Sequence, residues 1–137
     1  MKIYFAASIR AGREDKDLYM DIIKHLQNHG QVLTEHIGDI ENIPTADQNK
    51  TDQFIYERDM DWVSEADVVV AEVTQPSLGV GYELGWADGK KPIVCLYRDQ
   101  EGKRLSAMLS GNKGMTIFNY KDLEEAKGIL DSYFKSL

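Results

Sequence analysis

Cysteine occurs once in 137 residues, at Cys95, so an intrachain disulfide is excluded. Cys95 stands in the apolar run Ile93-Val94-Cys95-Leu96-Tyr97, which predicts a buried thiol in a strand. Basic residues are in deficit, 16 Lys and Arg against 23 Asp and Glu, for a net charge of -7. A surface of that sign excludes polyanionic partners such as DNA, RNA or an anionic membrane. A small phosphorylated ligand stays compatible, because a few local donors suffice to hold it. No apolar run approaches the roughly 18 residues that span a bilayer. The opening Met1-Lys2-Ile3-Tyr4-Phe5 has no apolar core of a signal peptide, so the expected location is a reducing cytoplasm. Repeats, low-complexity tracts and interdomain linkers are also lacking. His25 and His29 fall on a different element from His36, so no metal set emerges and no cofactor is expected.

What is present is the ordinary make-up of a soluble globular chain, 42% hydrophobic and 28% charged. The length predicts one domain over 1–137, large enough to bury its own core. Strands are predicted at Lys2–Ala7, Val32–His36, Val68–Val73, Pro92–Tyr97 and Met115–Asn119. Leu18, Ile22, Ile23 and Leu26 share one face of a helix that stops near Gly30. Thr51 or Asp52 caps a second helix running to about Glu65, with Phe54, Ile55, Met60 and Trp62 as its apolar positions. Helix is expected again over Tyr82–Asp88, stopping near Gly89. Ser106 opens a short segment through Leu109, and Asp122–Phe134 forms a closing amphipathic helix. The polar stretch from Gly38 to Asp52, with Pro44, reads as a ligand-covering or mobile loop. Strands alternating with helices predict an α/β, flavodoxin-like or Rossmann-like three-layer sandwich on a five-stranded parallel sheet. Its switch point would lie between the first and third strands, where ligands bind outside the carboxyl ends.

Both of those ends carry chemistry. After the third strand comes Thr74-Gln75-Pro76-Ser77-Leu78-Gly79-Val80-Gly81-Tyr82-Glu83, a Ser/Gly-rich turn and a glutamate at the start of a helix. The dipole would favour that carboxylate ionised, and an ionised, positioned carboxylate can attack an anomeric carbon. Glutamate is also simply a good first-turn helix residue. Ser77, Gly79 and Gly81 offer a hydroxyl and N–H groups to a phosphate, although the spacing is not that of a P-loop and no lysine follows. After the first strand, Ser8, Ile9 and Arg10 make a second candidate anion site, since an arginine can grip phosphate through two N–H groups. Tyr4 could donate to Glu83 and fix its rotamer, or be an ordinary core tyrosine. Asp59 could protonate a leaving base if burial raises its pKa, although most helical aspartates are solvated. His36 has a structural or ligand-stacking role open to it.

Taken together, the segments Tyr4 to Asp15, Leu33 to His36, Asp59 to Trp62, Ala66 to Gly85 and Leu105 to Met108 resemble the 2'-deoxynucleoside 5'-phosphate N-hydrolases, a branch of the nucleoside 2-deoxyribosyltransferase superfamily. The resemblance spans nearly the whole chain in order. It implies that Glu83 is a nucleophile forming a covalent 5-phospho-deoxyribosyl intermediate, that Tyr4 orients it near C2', and that Asp59 assists departure of the base. It places Ser8, Arg10, Ser77 and Gly79 at the 5'-phosphate pocket and His36 near the base, with Ile9 also expected among the substrate-binding residues. Ser106 is implied to complete the pocket from the neighbouring subunit of a homodimer. The stretch from Ile37 to Lys50 departs from the family pattern. The implied reaction releases a free base and 2-deoxyribose 5-phosphate from a deoxynucleoside 5'-monophosphate, with no cofactor. Passing the sugar to a second base, hydrolysing ribonucleotides, and binding nucleotides as a non-catalytic sensor are the alternatives. Arg10 and the two serines favour a phosphorylated substrate, and Tyr4 favours a deoxy sugar because the ribo-type relatives tend to carry Phe there.

Overall fold

The computed structural model describes residues 1–10, 12–37 and 50–137. The loop expected over 38–52 therefore lies almost wholly outside the described residues. The elements run β1 (Lys2–Ala7), α1 (Arg13–Leu26), β2 (Gln31–Leu33), α2 (Asp52–Glu65), β3 (Val68–Glu72), α3 (Leu78–Ala87), β4 (Ile93–Tyr97), α4 (Ala107–Ser110), β5 (Thr116–Asn119) and α5 (Leu123–Ser136). All strand pairs are parallel, in the order β2-β1-β3-β4-β5. The expected α/β sandwich with a switch point between β1 and β3 is thus the observed one.

The two layers follow from strand alternation. Ile3, Phe5, Val68, Val70, Val94 and Leu96 face α1 and α5, where they meet Tyr19, Ile22, Ile23, Leu26, Ala126 and Leu130. Tyr4, Ala6, Val69, Ala71, Ile93 and Cys95 face the other way, toward Val63 of α2 and Val80, Leu84 and Ala87 of α3. Both faces of the central strands are covered, which is why β3 and β4 read as continuous apolar runs. Each fully buried Val, Leu or Ile stabilises the fold by ~1.5–3 kcal/mol relative to exposure. Cys95 is buried as expected, and burial pushes its thiol up to about 12. Thr51 caps α2, its Oγ1 accepting from Phe54 N at 3.1 Å. Asp122 caps α5 through Glu125 N at 2.9 Å. The carboxyl end of α2 is held by Lys91, whose Nζ donates to the carbonyls of Val63, Ser64 and Ala66.

Three expectations need correction. β2 ends at Leu33 rather than His36, because Thr34 Oγ1 takes the His36 N–H at 3.3 Å and turns the chain away from the ladder. In α2 the buried face carries Asp59 and Val63, while Phe54 is exposed under the cations of Lys50 and Arg58. Helix α3 starts at Leu78, a full turn before the expected Tyr82, because the Ser77 side chain caps it by accepting from Val80 N at 3.3 Å.

Helix α1 ends at Leu26, capped by Gln27, before the expected stop at Gly30, so Gly30 and Gly89 are needed for different reasons. Gly89 has φ of 78°, the left-handed region that ends α3. Gly30 is required by close approach instead: a Cβ there would lie 2.3 Å from the Met1 carbonyl oxygen, which accepts from Gln31 N at 2.9 Å to start the β1–β2 pair. Gly30→Ala should therefore cost about 1–3 kcal/mol in urea unfolding. Gly128→Ala, within α5 where a Cβ meets nothing within 4 Å, should gain up to about 1 kcal/mol in the same measurement.

Candidate active site

The parallel register of β1 and β3 pairs Ala7 with Glu72, so the chain leaves both strands at one edge of the sheet. Ser8 follows on one strand and Thr74 to Ser77 on the other. The crossovers depart to opposite faces, and the cleft between them is where a ligand can reach backbone from both sides.

Three side chains from three elements converge on the α2–α3 face. Tyr4 projects from β1, Asp59 from the buried face of α2, and Glu83 from the second turn of α3; all three are buried. The Tyr4 hydroxyl donates to Glu83 Oε2. Glu83, Asp59 and Gly79 line a cavity of about 290 Å³ whose apolar wall includes Ile55, Met60 and Tyr82. Tyr56 and Tyr82 meet edge to face at its mouth, their hydroxyl oxygens 3.3 Å apart.

The electrostatics differ from the expectation built on the helix dipole. Because α3 starts at Leu78, Glu83 lies beyond the first turn, where the dipole has fallen off. Burial dominates instead and lifts its carboxyl to about 7; the hydrogen bond from Tyr4 pulls it back down, and the nearby Asp59 charge lifts it further. Tyr4 itself is held far above its usual range, first by burial and then by Glu83 and Asp59, so it stays a proton donor in this bond. Asp59 is gripped by Arg58, whose Nε and guanidinium terminus lie 3.0 and 2.9 Å from Asp59 Oδ1. Arg58 also reaches Glu35 Oε2 at 3.7 Å and lies over the Trp62 ring at 4.8 Å.

The remaining candidates flank this centre. Ser77 caps α3, and Gly79 sits in its first turn beside the Glu83 cavity. Ser8 is buried at the end of β1, whereas Ile9 and Arg10 are exposed beyond it. The His36 ring is buried edge-on to Phe5 and Tyr19, its Nε2 3.4 Å from the Ala7 carbonyl oxygen, on the opposite side of β1 from Tyr4. Ser106 does not join Glu83 within one chain. It caps α4 and shares with Ser77, Arg104 and Tyr97 a second cleft of about 390 Å³ on the other flank of α3.

A profile of the nucleoside 2-deoxyribosyltransferases matches residues 3–124. The chain belongs to this family. It is 51% identical to the Rattus norvegicus 5-hydroxymethyl-dUMP N-hydrolase, over 98% of this chain and 85% of that protein. It is 49% identical to the Esox lucius protein of the same name, over 100% of this chain and 98% of that one. Among solved structures, the Clostridium botulinum CMP N-glycosidase BcmB superposes with a TM-score of 0.71 at 20% identity, covering 97% of this chain and 100% of that one, a likeness of fold.

In this member of the family, sequence reasoning passed over two groups. Arg58 carries a usable signal in its place directly before Asp59. Glu72 was read as part of an apolar strand, yet it is wholly buried. It accepts from Thr74 N at 2.6 Å, from Thr74 Oγ1 at 2.9 Å and from the Tyr120 hydroxyl, with Arg98 Nε 3.6 Å away. Arg98 pairs in turn with Asp15 of α1. A glutamate inside a Val-rich strand was the available clue.

The raised carboxyl of Glu83 has a stability consequence. Its ordinary value is 4.5 and its folded value about 7. Between these the folded chain holds the extra proton, so this contribution is whole below about pH 4.5 and is lost as pH rises through about 7. Glu83→Gln keeps the shape without the charge. Urea unfolding should show the variant gaining stability over the parent at pH 8 relative to pH 5. An equal difference at both pH values would contradict burial as the source of the shift.

Proposed function

We propose that this protein hydrolyses the N-glycosidic bond of 2'-deoxynucleoside 5'-monophosphates, releasing the free base and 2-deoxyribose 5-phosphate. The observation that carries the reading is that Asp59 and Glu83 line one cavity between α2 and α3 while Tyr4 of β1 donates to Glu83. Names borne by relatives about half identical along the full chain support the same chemistry.

Two carboxyl groups facing one cavity suit a retaining glycosidase. Glu83 attacks C1' as the base departs, forming a glycosyl ester, and the proton that its raised carboxyl holds in the free protein passes by way of Asp59 to the leaving base. Water then attacks C1' of the ester, giving its proton back to Asp59, and the sugar phosphate leaves with Glu83 restored. We assign Tyr4 to hold the attacking carboxylate through its second oxygen, near C2' of the sugar. A 2'-deoxy sugar lacks the electron-withdrawing hydroxyl that destabilises the oxocarbenium-like transition state, so less catalytic help is required. We assign the 5'-phosphate to Ser8, Ile9, Arg10, Ser77 and Gly79, which leave adjacent strands at the same edge; binding energy from the phosphate positions the reacting carbon. We assign His36 to the neighbourhood of the base.

The same reading takes the active form as a cytoplasmic homodimer with Ser106 reaching the partner's phosphate pocket. Leu78 and Met108 support this, being 96% and 81% exposed beside Ser77 and Ser106 in the second cleft. Large apolar side chains that open to solvent suit a surface covered by another copy. Among the described residues no helix is long and apolar enough to cross a membrane.

Base release from a panel of deoxynucleoside 5'-monophosphates, the matching nucleosides and ribonucleotides, followed by chromatography with and without a second free base, tests the activity. Deoxynucleotides alone should be cleaved, with no exchange product, and Glu83→Gln should lose at least about a thousandfold in rate. Base exchange without a phosphate requirement would move the protein to transferase chemistry. For the dimer, sedimentation of Met108→Glu should show a shift to monomer with loss of nucleotide cleavage; an unchanged sedimentation coefficient would remove this interface.

A further inference from the structure

We infer that His25, His29 and Asp131 form a binding site for a divalent transition-metal ion that clamps α1 to α5. His25 lies in the last turn of α1, and His29 lies in the turn that follows, its N–H donating to Leu26 O at 2.8 Å. Asp131 comes from α5, more than a hundred residues away in sequence. Both imidazole Nε2 atoms lie 2.7 Å from the same oxygen, Asp131 Oδ1. The three donor atoms all fall within 4.8 Å of one another. His36 stands apart from His25 and His29 in the sequence, and the packing of α5 on α1 supplies Asp131 as the third donor instead.

The donor chemistry selects the ion. Two imidazoles and one carboxylate suit Zn²⁺ and its neighbours, whereas Mg²⁺ and Ca²⁺ prefer all-oxygen shells. Metal–ligand arms of about 2.0–2.2 Å put tetrahedral donors roughly 3.3–3.5 Å apart, so each His–Asp pair must open by about 0.6–0.8 Å. The Asp131 side chain is 45% exposed and has room to rotate outward. The His29 ring is fixed by stacking on Phe134, with centroids 4.6 Å apart and planes 12° from parallel. On binding, the neutral rings carry their proton on Nδ1 and turn the Nε2 lone pairs from Asp131 to the metal, any proton on Nε2 passing to water. Water completes the shell at this partly open position.

The site is remote from the proposed chemistry. It sits on the α1–α5 face and just before Gln31, at the amino edge of the sheet, while Glu83 is on the α2–α3 face at the carboxyl edge. Its effect is therefore on the docking of two helices and not on the reaction.

The test uses the full chain stripped of metal with a chelator and dialysed free of it. Calorimetric titration with Zn²⁺ should give one ion per chain, and the thermal midpoint should rise with Zn²⁺ but not with Mg²⁺. Asp131→Asn and His29→Gln, each checked for folding by circular dichroism, should weaken Zn²⁺ binding at least about tenfold. Co²⁺ bound to the parent should show the intense visible bands of a tetrahedral site, and those bands should be absent in the variants. No stoichiometric Zn²⁺ binding by the parent, or equal binding by the parent and a folded His25→Gln/His29→Gln/Asp131→Asn variant, overturns the site.

Discussion

A carboxylate shut away from water at the end of an apolar sheet is the constraint around which the α2–α3 face is organised. Burying a charged group costs several kcal/mol unless partners replace its hydration. Glu83 receives a partial replacement, one hydrogen bond from Tyr4, and faces the like charge of Asp59. Its carboxyl consequently sits near neutrality, where a modest change in surroundings decides its state. In the proposed mechanism, displacement of water by the substrate and a cationic sugar developing beside the carboxylate both act on that balance, and the second favours the ionised form at the moment of attack.

Glu72 makes the contrast from the same edge of the same sheet. It is more deeply buried than Glu83, but two donors from Thr74, one from Tyr120 and the nearby Arg98 surround it. Arg98 extends the set to Asp15, so β3, β4, the start of α1 and the segment after β5 are tied at one point. A carboxylate satisfied in this way has little capacity left for a ligand, and breaking such a set by removing one partner is strongly destabilising. Two glutamates eleven positions apart thus serve opposite ends: Glu72 fixes the edge on which the loops are mounted, and Glu83 is left under-satisfied on it.

The sequence made the scaffold legible because each strand and helix carries its own period. Val68 to Ala71 and Ile93 to Tyr97 announce strands covered on both faces, and Leu18, Ile22, Ile23 and Leu26 announce a buried stripe. Alternation of these elements then leaves few topologies to consider. Tyr4, Asp59 and Glu83 were also legible as candidates, by residue type at the carboxyl edge and by family resemblance. What could not be read was anything set by a contact between distant elements. The Ser77 side chain capping Val80 N moved the start of α3 by a turn and replaced a dipole argument for Glu83 with a burial argument. Arg58 looks like any surface cation until Glu35, Asp59 and Trp62 are seen around it. Asp131 looks solvated until the packing of α5 on α1 brings it to two histidines.

The same alternation explains how one small sheet keeps its tasks apart. Successive residues of β1 send Tyr4 to the α2–α3 layer and Phe5 to the α1–α5 layer, so a substitution in one layer reaches the other only through the backbone. The α2–α3 layer can then hold an under-satisfied carboxylate and a cavity of about 290 Å³, because the α1–α5 layer has a separate apolar core of its own, built on Phe5, Val70, Ile22, Leu26 and Leu130. A fold of 137 residues has little stability to spare for strain at its active edge. Because each face of the sheet carries its own buried cluster, the cavity beside Glu83 does not draw on the packing of the α1–α5 face.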